Sequence, residues 1–456
     1  MIPKTQIDEW KANDLPRLYR LLMESPTAEL KPLLENLGRL PEGFDASVLL
    51  PHLYHPHPDI RYLAVKNIGK LTYLPYLVPL FEIAQRDPDS MVRREAVSAI
   101  GRMRTQEGIV YLRHFMNDPD PKVVMQALRG LLVFKGNPDL PSWIEPILNH
   151  PNEQIQQIIK RTFNGVAQSE TDHPASPDFL KNTVVLGDVL NVLPIVPSGS
   201  VHLTFTSPPY YNARDYSIYA SYEAYLDFLE AVFKEVHRIT KEGRYLIVNT
   251  SPIIIPRISR DYSSKRYPIP FDLHARLMRS DWEFIDDIVW VKPEYSVKNR
   301  VGGFAQHRKP LAYKPNTVTE YLMVYRKSSP RLIDWNIQAY DEETVEASKV
   351  LGTFETSNVW EVDPAHDKVH SAIFPRELCH RVIRYYSYVG DLVFDPFGGS
   401  GTMGKAALDL ERYFFLTELN PVYFEHMKET LSPNAGLFQS RSPRYYTLEE
   451  LIQEIQ

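Results

Sequence analysis

Two periodicities divide the chain. Through residues 49–165 apolar positions recur at the spacing of helices with one buried face. From about residue 180 the pattern changes to short β-rich runs separated by helical stretches. These runs are VHLTFTSP (201–208), RYLIVNT (244–250), EFIDDIVWV (283–291), EYLMVYRK (320–327), DLVFDPF (391–397) and RYFFLTEL (412–419). Strands alternating with helices predict a mostly parallel α/β sheet. Between the two regions, residues 166–179 are polar and Pro-rich and read as a linker. Residues 294–370 are rich in Lys, Tyr, Pro and Asn and less regular, as functional segments inside compact domains often are. Residues 438–456 read as a C-terminal tail.

The N-terminal region repeats. The segments HPHPDIRYLAVKNIG, RDPDSMVRREAVSAIG, NDPDPKVVMQALRGL and NHPNEQIQQIIKRTF align without gaps on Ala64, Ala96, Ala127 and Ile158, at offsets of 32, 31 and 31. Pro56, Pro88 and Pro119 each stand eight residues before the alanine, and Pro151 is displaced by one. An apolar helical pattern such as LVPLFEIA (77–84) precedes each segment. This predicts one helical hairpin per repeat, with the Asp-Pro pair supplying an N-cap and a first-turn proline to the second helix. The small alanine allows close helix approach. One hairpin cannot bury its own apolar face, so a fixed period of this size means a solenoid. The pattern resembles short HEAT-like repeats over 49–165, with 1–48 as an N-terminal cap. Such repeats serve as a protein-docking or self-association scaffold, or as a cradle for DNA. For the latter, Arg61, Arg93, Arg94, Lys122, Lys160 and Arg161 are the candidate contacts.

Composition changes this picture little. The hydrophobic fraction is 43% and the charged fraction 24%, the profile of an ordinary globular protein rather than a disordered or fibrous one. The single cysteine, Cys379, excludes an intramolecular disulfide and a multi-Cys zinc site and reads as a core residue. The 14 histidines show no metal-site spacing, so no metal is expected. No apolar signal segment and no run of about 18 apolar residues is visible, so a cytoplasmic, nucleoid-associated protein is expected. Net charge is −6. Residues 1–165 carry 20 basic and 19 acidic side chains, the remainder 31 and 38. A nucleic-acid partner would have to meet a local basic face.

The first chemical signal is DLVFDPFGGSGTMGKAALDL (391–410). An apolar run ends at Asp395, followed by Phe397, Gly398, Gly399, Ser400, Gly401 and Thr402 and then an Ala-rich helical stretch. A strand, a Gly-rich turn and a helix N-terminus make a nucleotide-type cradle. No Lys-[Ser/Thr] follows the glycines, so this is not a Walker A loop. The next strand ends in Glu418, 17 residues beyond Gly401, where a carboxylate can accept hydrogen bonds from ribose hydroxyls.

The second signal is Ser207-Pro208-Pro209-Tyr210 at the end of an apolar run. Two prolines stiffen the turn and remove two donors, while their carbonyls and the serine hydroxyl remain as acceptors. An aromatic face follows. This suits a flat ring carrying an exocyclic amino group.

Together the two motifs resemble those of the S-adenosylmethionine-dependent DNA amino-methyltransferases, which act on cytosine N4 or adenine N6. That family carries a [Ser/Asp/Asn]-Pro-Pro-[Tyr/Phe/Trp] catalytic tetrapeptide and an Asp-Pro-Phe-x-Gly-x-Gly cofactor turn. The order here, catalytic motif first, is that of the permuted beta group, and the resemblance covers about 180–435. It implies a Rossmann-like α/β methyltransferase domain over 180–437, behind the all-α HEAT-like domain of 1–165. It implies Ser207, Pro208, Pro209 and Tyr210 as catalytic. It implies cofactor contacts from Asp395, Phe397, Gly398, Gly399, Ser400, Gly401, Thr402, Glu418 and Asn420, from Phe374 and Pro375 in HSAIFPREL (370–378), and from Asp188 in VVLGDVL (184–190). IVWVKP (288–293), with Trp290 and Lys292, and EYLMVYRK (320–327) resemble family strands flanking the target base. Trp290 and Lys292, with Tyr211, Arg214, Arg300 and Arg308, are the expected DNA contacts. Asn212, Lys298, Gln306, His307 and Lys309 are further donors, and 294–370 is the expected target-recognition region.

The resemblance further implies double-stranded DNA as substrate and base flipping, with Tyr210 as a stacking surface. A Ser at the head of the tetrapeptide leans to cytosine N4 and an Asp to adenine N6, so cytosine N4 is expected, with adenine N6 as the alternative. The absence of a nucleophilic cysteine motif argues against cytosine C5 methylation. Two other readings compete: an inactive methyltransferase-like binding protein that works through its repeats, and an RNA or protein methyltransferase.

Overall fold

The computed structural model describes residues 3–163, 175–211, 219–255, 261, 265–297, 310, 315–329, 337, 339–365, 374–431 and 442–456. The chain divides into two compact units, residues 1–168 and 169–456.

The first unit is all helical. Three helices, Lys4–Asn13, Leu15–Glu24 and Thr27–Asn36, share one apolar core with the repeats that follow. The second helices of the repeats are Pro58–Ile68, Ser90–Met103, Pro121–Leu131 and Glu153–Phe163. Ala64, Ala96 and Ala127 are fully buried on them. Where two of these helices cross, a Cβ on Gly101 would stand 3.1 Å from the Gly130 Cα, so the backbones meet directly.

The helix starts differ from the expected Asp-Pro cap. Pro88 and Pro119 lie one residue before the cap, and the caps are Asp89 and Asp120, which accept from Met91 N at 2.8 Å and Lys122 N at 2.8 Å. The acid ahead of each proline closes the turn instead: Asp87 accepts from Asp89 N at 2.9 Å and Asp118 from Asp120 N at 2.8 Å. In the first repeat Pro58, not Pro56, occupies the first helical position.

Those turn aspartates also link neighbouring repeats. Arg61 makes a two-pronged pair with Asp87, Nε to Oδ2 at 2.7 Å and Nη2 to Oδ1 at 2.8 Å. Arg93 stands 3.6 Å from Asp118. Both guanidinium groups also donate to backbone carbonyls of their own turn. Arg61 and Arg93, read above as DNA contacts, are therefore structural ties between repeats. A buried or half-buried pair of this kind fixes register more surely than it adds stability.

The second unit is built on a nine-stranded sheet. Its strands are β1 (Thr183–Leu186), β2 (Val201–Thr206), β3 (Thr240–Thr250), β6 (Trp282–Val291), β7 (Thr319–Lys327), β8 (Val359–Glu361), β9 (Leu392–Asp395), β10 (Tyr413–Glu418) and β11 (Arg444–Thr447). A separate hairpin pairs β4 (Ile253–Ile255) with β5 (Lys265–Tyr267). The sheet order is β11-β1-β10-β9-β2-β3-β7-β6-β8. Only β7 runs against its neighbours, and every other pairing is parallel. The expected mostly parallel α/β sheet is thus observed.

Two apolar clusters flank the sheet, as a parallel sheet covered on both faces requires. Residues read as a C-terminal tail take part in this structure. Strand β11 pairs in parallel with β1, and the helix Leu448–Ile455 opens with a Thr447/Glu450 capping box and buries Leu451. Cys379 is buried in the core, and burial pushes its thiol well above its ordinary range. Among the described residues no helix is long and apolar enough to cross a membrane.

Candidate active site

Strand order reverses between β9 and β2: the chain builds outward to β10 on one side and to β3 on the other. At such a switch point the loops beyond the carboxyl ends diverge and leave a crevice. Asp395 ends β9, Glu418 ends β10 and Thr206-Ser207 ends β2, so the two sequence motifs meet there. A direct contact joins them: Thr206 Oγ1 donates to Asp395 Oδ1 at 2.6 Å.

The Gly-rich turn is held by its own acids. Asp395 Oδ1 also accepts from Phe397 N at 3.0 Å, and Glu418 Oε2 accepts from Gly399 N at 2.8 Å. Glu418 Oε1 accepts from Asn420 N at 2.7 Å, and Asn420 in turn caps the helix Pro421–Thr430. Gly398 N donates to Thr417 O at 2.9 Å. Gly401 has φ +78°, and a Cβ there would meet Met427 Cγ at 2.9 Å, so only glycine fits. Ser400 and Thr402 hydroxyls lie 3.0 Å apart at the start of the helix Thr402–Asp409.

Around the turn, Phe374 stacks on Phe205 with ring centroids 4.5 Å apart, and Pro375 opens the helix Arg376–Tyr386. Asp188 follows Gly187, whose N–H donates to the Glu418 carbonyl, so it lies beside the end of β10. One of its oxygens caps the helix Val189–Val192 through Leu190 N at 2.9 Å.

Burial sets the charge of this crevice. It pushes the Asp395 carboxyl up to about 7, against the hydrogen bonds from Thr206 and Phe397 N, with Glu418 nearby adding to the rise. Burial also raises Glu418. Two crowded carboxylates, acceptor oxygens and a turn with no room for side chains fit a ligand that brings ribose hydroxyls and a positive charge. S-adenosylmethionine has both.

On the β2 side the geometry adds residues that the sequence reading missed. Because β7 runs antiparallel, its first residues lie at the carboxyl ends of its neighbours: Glu320 stands opposite Trp290 of β6, and Tyr321 opposite Thr250 of β3. Glu320 collects three donors. Tyr210 Oη donates to its Oε2 at 3.0 Å, Asn249 Nδ2 to the same oxygen at 2.6 Å, and Lys292 Nζ pairs with its Oε1. Asn249 Nδ2 also lies 3.4 Å from Ser207 Oγ, and the nearby Ser207 and Ser251 hydroxyls oppose the rise of the Tyr210 phenol. Burial, followed by the Glu320 charge, holds the Tyr210 phenol protonated well above its ordinary range. The sequence signal for Glu320 was present, an acid heading a strand, but only the reversed direction of β7 gives it meaning.

The expected DNA contacts divide. Trp290 is 3% exposed and its indole N–H donates to Val362 O at 2.7 Å, so it is a core residue. Lys292 lies over its ring at 4.6 Å and is paired with Glu320, which turns it into the site rather than toward a phosphate. Tyr211 is buried among Tyr222, Tyr225 and Tyr267, with centroids 4.9–5.7 Å away, and is likewise a core residue. Arg214, Arg300 and Arg308 lie outside the described residues, as do Asn212, Lys298, Gln306, His307 and Lys309.

Known proteins bear on this site directly. The DNA methylase family of N6- and N4-methyltransferases matches residues 201–429, and HEAT repeats match 46–132 and 77–160. The Type II methyltransferase M.Cfr9I of Citrobacter freundii is 31% identical over 276 residues, 53% of this chain and 85% of that protein. The Type II methyltransferase M.XycI of Xanthomonas campestris pv. cyanopsidis is 30% identical over 274 residues, 53% of this chain and 85% of its own length. A solved Thermus thermophilus protein, described as a putative DNA modification methylase and complexed with S-adenosyl-L-methionine, is 27% identical, covering 58% of this chain and 97% of that one, with a TM-score of 0.44. The family match spans the tetrapeptide of β2 and the glycine turn of β9, which the fold brings together, and so the chain belongs to the N6/N4 DNA methylase family: it is an S-adenosylmethionine-dependent DNA methyltransferase with HEAT repeats in its N-terminal third.

Proposed function

We propose that the chain methylates the exocyclic N4 of cytosine in DNA, with Ser207-Pro208-Pro209-Tyr210 as its catalytic segment. The observation that carries this reading is Ser207, a neutral hydroxyl at the head of the tetrapeptide, set between the Asn249 amide and the Tyr210 phenol. S-adenosylmethionine, when bound, supplies an electrophilic methyl group. Glu418 accepts from its ribose. The backbone of Gly398–Gly401 leaves it room, with Asp395, Phe397, Ser400, Thr402 and Asn420 around that turn and Asp188, Phe374 and Pro375 beside it.

An exocyclic amino nitrogen is a poor nucleophile because its lone pair is delocalised into the ring. Ser207 Oγ and the Pro208 carbonyl accept hydrogen bonds from its two N–H groups and so favour a pyramidal nitrogen with a free lone pair. A base in duplex DNA must first leave the stack, and the Tyr210 ring offers a face for it. Tyr210 is held by its hydroxyl, which keeps the ring in one orientation before the base arrives.

The methylated nitrogen must then lose a proton. Ser207 Oγ accepts it while passing its own to Tyr210 Oη, and Tyr210 passes its proton to Glu320. Lys292 and Asn249 hold Glu320 in place for this role. Glu320→Gln keeps the shape and removes the acceptor. Its single-turnover methylation rate is expected to fall about 10²-fold, with cofactor affinity unchanged. Tyr210→Phe breaks the same path, so the double variant should be no slower than the worse single one. Fully multiplicative losses in rapid-quench assays would show that the two residues act separately.

The methyl acceptor is tested with tritium-labelled S-adenosylmethionine. Label should enter DNA in a nuclease-sensitive form. Label entering RNA or protein after DNase treatment would overturn the assignment of DNA as acceptor.

A further inference from the structure

The near-neutral charge of the helical unit conceals a segregation. The second helices and the turns that end them, residues 58–70, 90–104, 121–135 and 153–160, carry eleven Lys and Arg against three Asp and Glu. The rest of residues 1–160 carries eight against sixteen. Two of the eleven, Arg61 and Arg93, are used between repeats as described.

Several of the others form a row. Lys66, Arg129 and Lys160 stand two residues after Ala64, Ala127 and Ile158, at one register of three repeats, and all three are exposed. Lys70 and Arg102 stand six residues after Ala64 and Ala96, one helical turn further along the same face, and are exposed as well. In the second repeat the register position is Ser98, and Arg102 covers it by donating to Ser98 Oγ at 2.9 Å and to Glu95 at 2.9 Å. Among the described residues Lys66, Arg129 and Lys160 form no ion pair. The cations also crowd one another: after burial, the charges of Lys66, Lys11 and Arg102 push the Lys70 ammonium down. Like charges gathered in this way lower stability unless an anion meets them.

The face suits a phosphate backbone better than a protein. Protein interfaces are anchored by apolar and aromatic side chains. The exposed large hydrophobic residues of these four segments are two: Met91, at the start of its helix and seven residues before Ser98, and Val133, six residues after Ala127 at the register of Lys70 and Arg102. A line of cations with only these two apolar side chains along it, and no exposed aromatic anchor, positions a polyanion and reads no sequence.

We propose that this second-helix face of the HEAT repeats binds the backbone of the DNA substrate. The inference rests on DNA being the methyl acceptor and adds a second contact region to it. The test uses the full chain and two triple variants of equal charge change. The first is Lys66→Glu/Arg129→Glu/Lys160→Glu. The second is Arg20→Glu/Arg86→Glu/Arg113→Glu, on exposed positions of the other helices. Circular dichroism melting checks that both fold. DNA affinity is measured on a long duplex over a range of salt. Each lost phosphate contact makes the log–log salt slope shallower by about 0.9, so the first triple should lose about 2 to 3 of slope and the control should match the wild type. Equal slopes in both triples would overturn the proposal. Wild-type methylation of the same duplex, followed in parallel, reads the enzyme assignment separately.

Discussion

Ser207→Ala is expected to lower kcat for DNA methylation by about 10²–10³-fold, the scale of removing one preorganised group that acts mainly in the transition state. The affinity for S-adenosylmethionine should stay within about threefold, because Ser207 lies on the β2 side of the crevice and the glycine turn on the β9 side. Fold stability should hardly change, since the hydroxyl is half-buried and its amide neighbour, Asn249, keeps its shorter bond to Glu320. Rapid-quench methylation with a calorimetric cofactor titration separates these quantities. A variant with wild-type kcat would remove Ser207 from the mechanism and return weight to a protein whose repeats do its main work.

Glu418→Ala should have the opposite signature. Its two oxygens hold Gly399 N and Asn420 N, and the same carboxylate is assigned to the ribose. A hydrogen bond to a charged group contributes about 1.5–3 kcal/mol, so the cofactor Kd should rise about 10²-fold. The melting temperature should fall too, because two backbone donors lose their acceptor. Turnover at saturating cofactor should drop far less. The wild-type Kd should itself depend on pH. Burial raises Asp395 to about 7 and lifts Glu418, so both carry protons at a higher pH than exposed carboxyls do. A cationic ligand favours their ionised forms, and its binding should tighten as pH rises through 7. A Kd insensitive both to Glu418→Ala and to pH would place the cofactor elsewhere.

Much of this site could be read from the chain because its chemistry sits on short local motifs. The glycines of 398–401 and the proline pair of 208–209 announce their turns through backbone restrictions that no other residues share. What stayed hidden depends on strand direction and on burial. Glu320 heads EYLMVYRK, a run that resembles a family strand flanking the target base, but the acid itself reaches the site only because β7 is reversed. Trp290 and Tyr211 carry side chains that suit a base, yet both are packed into the core. Arg61 and Arg93 look like free cations in the sequence, and their partners are aspartates one repeat away. The N-terminal solenoid was legible from its period. The placement of its helix caps was off by a residue or two because Asp-Pro-Asp offers two acids, and the first closes a turn while the second caps. The last strand and helix, 444–455, are short and polar enough to resemble a tail, but pairing with β1 gives them a place in the sheet.

The most direct test of the central claim is the identity of the modified base. Unmethylated duplex DNA of mixed sequence is incubated with the protein and S-adenosylmethionine, digested to nucleosides and examined by mass spectrometry, with Ser207→Ala as control. N4-methylcytosine, present with the wild type and absent with the variant, is the expected result. N6-methyladenine in its place would keep the site and contradict the base assignment, and DNA left unmodified would contradict the proposed activity itself.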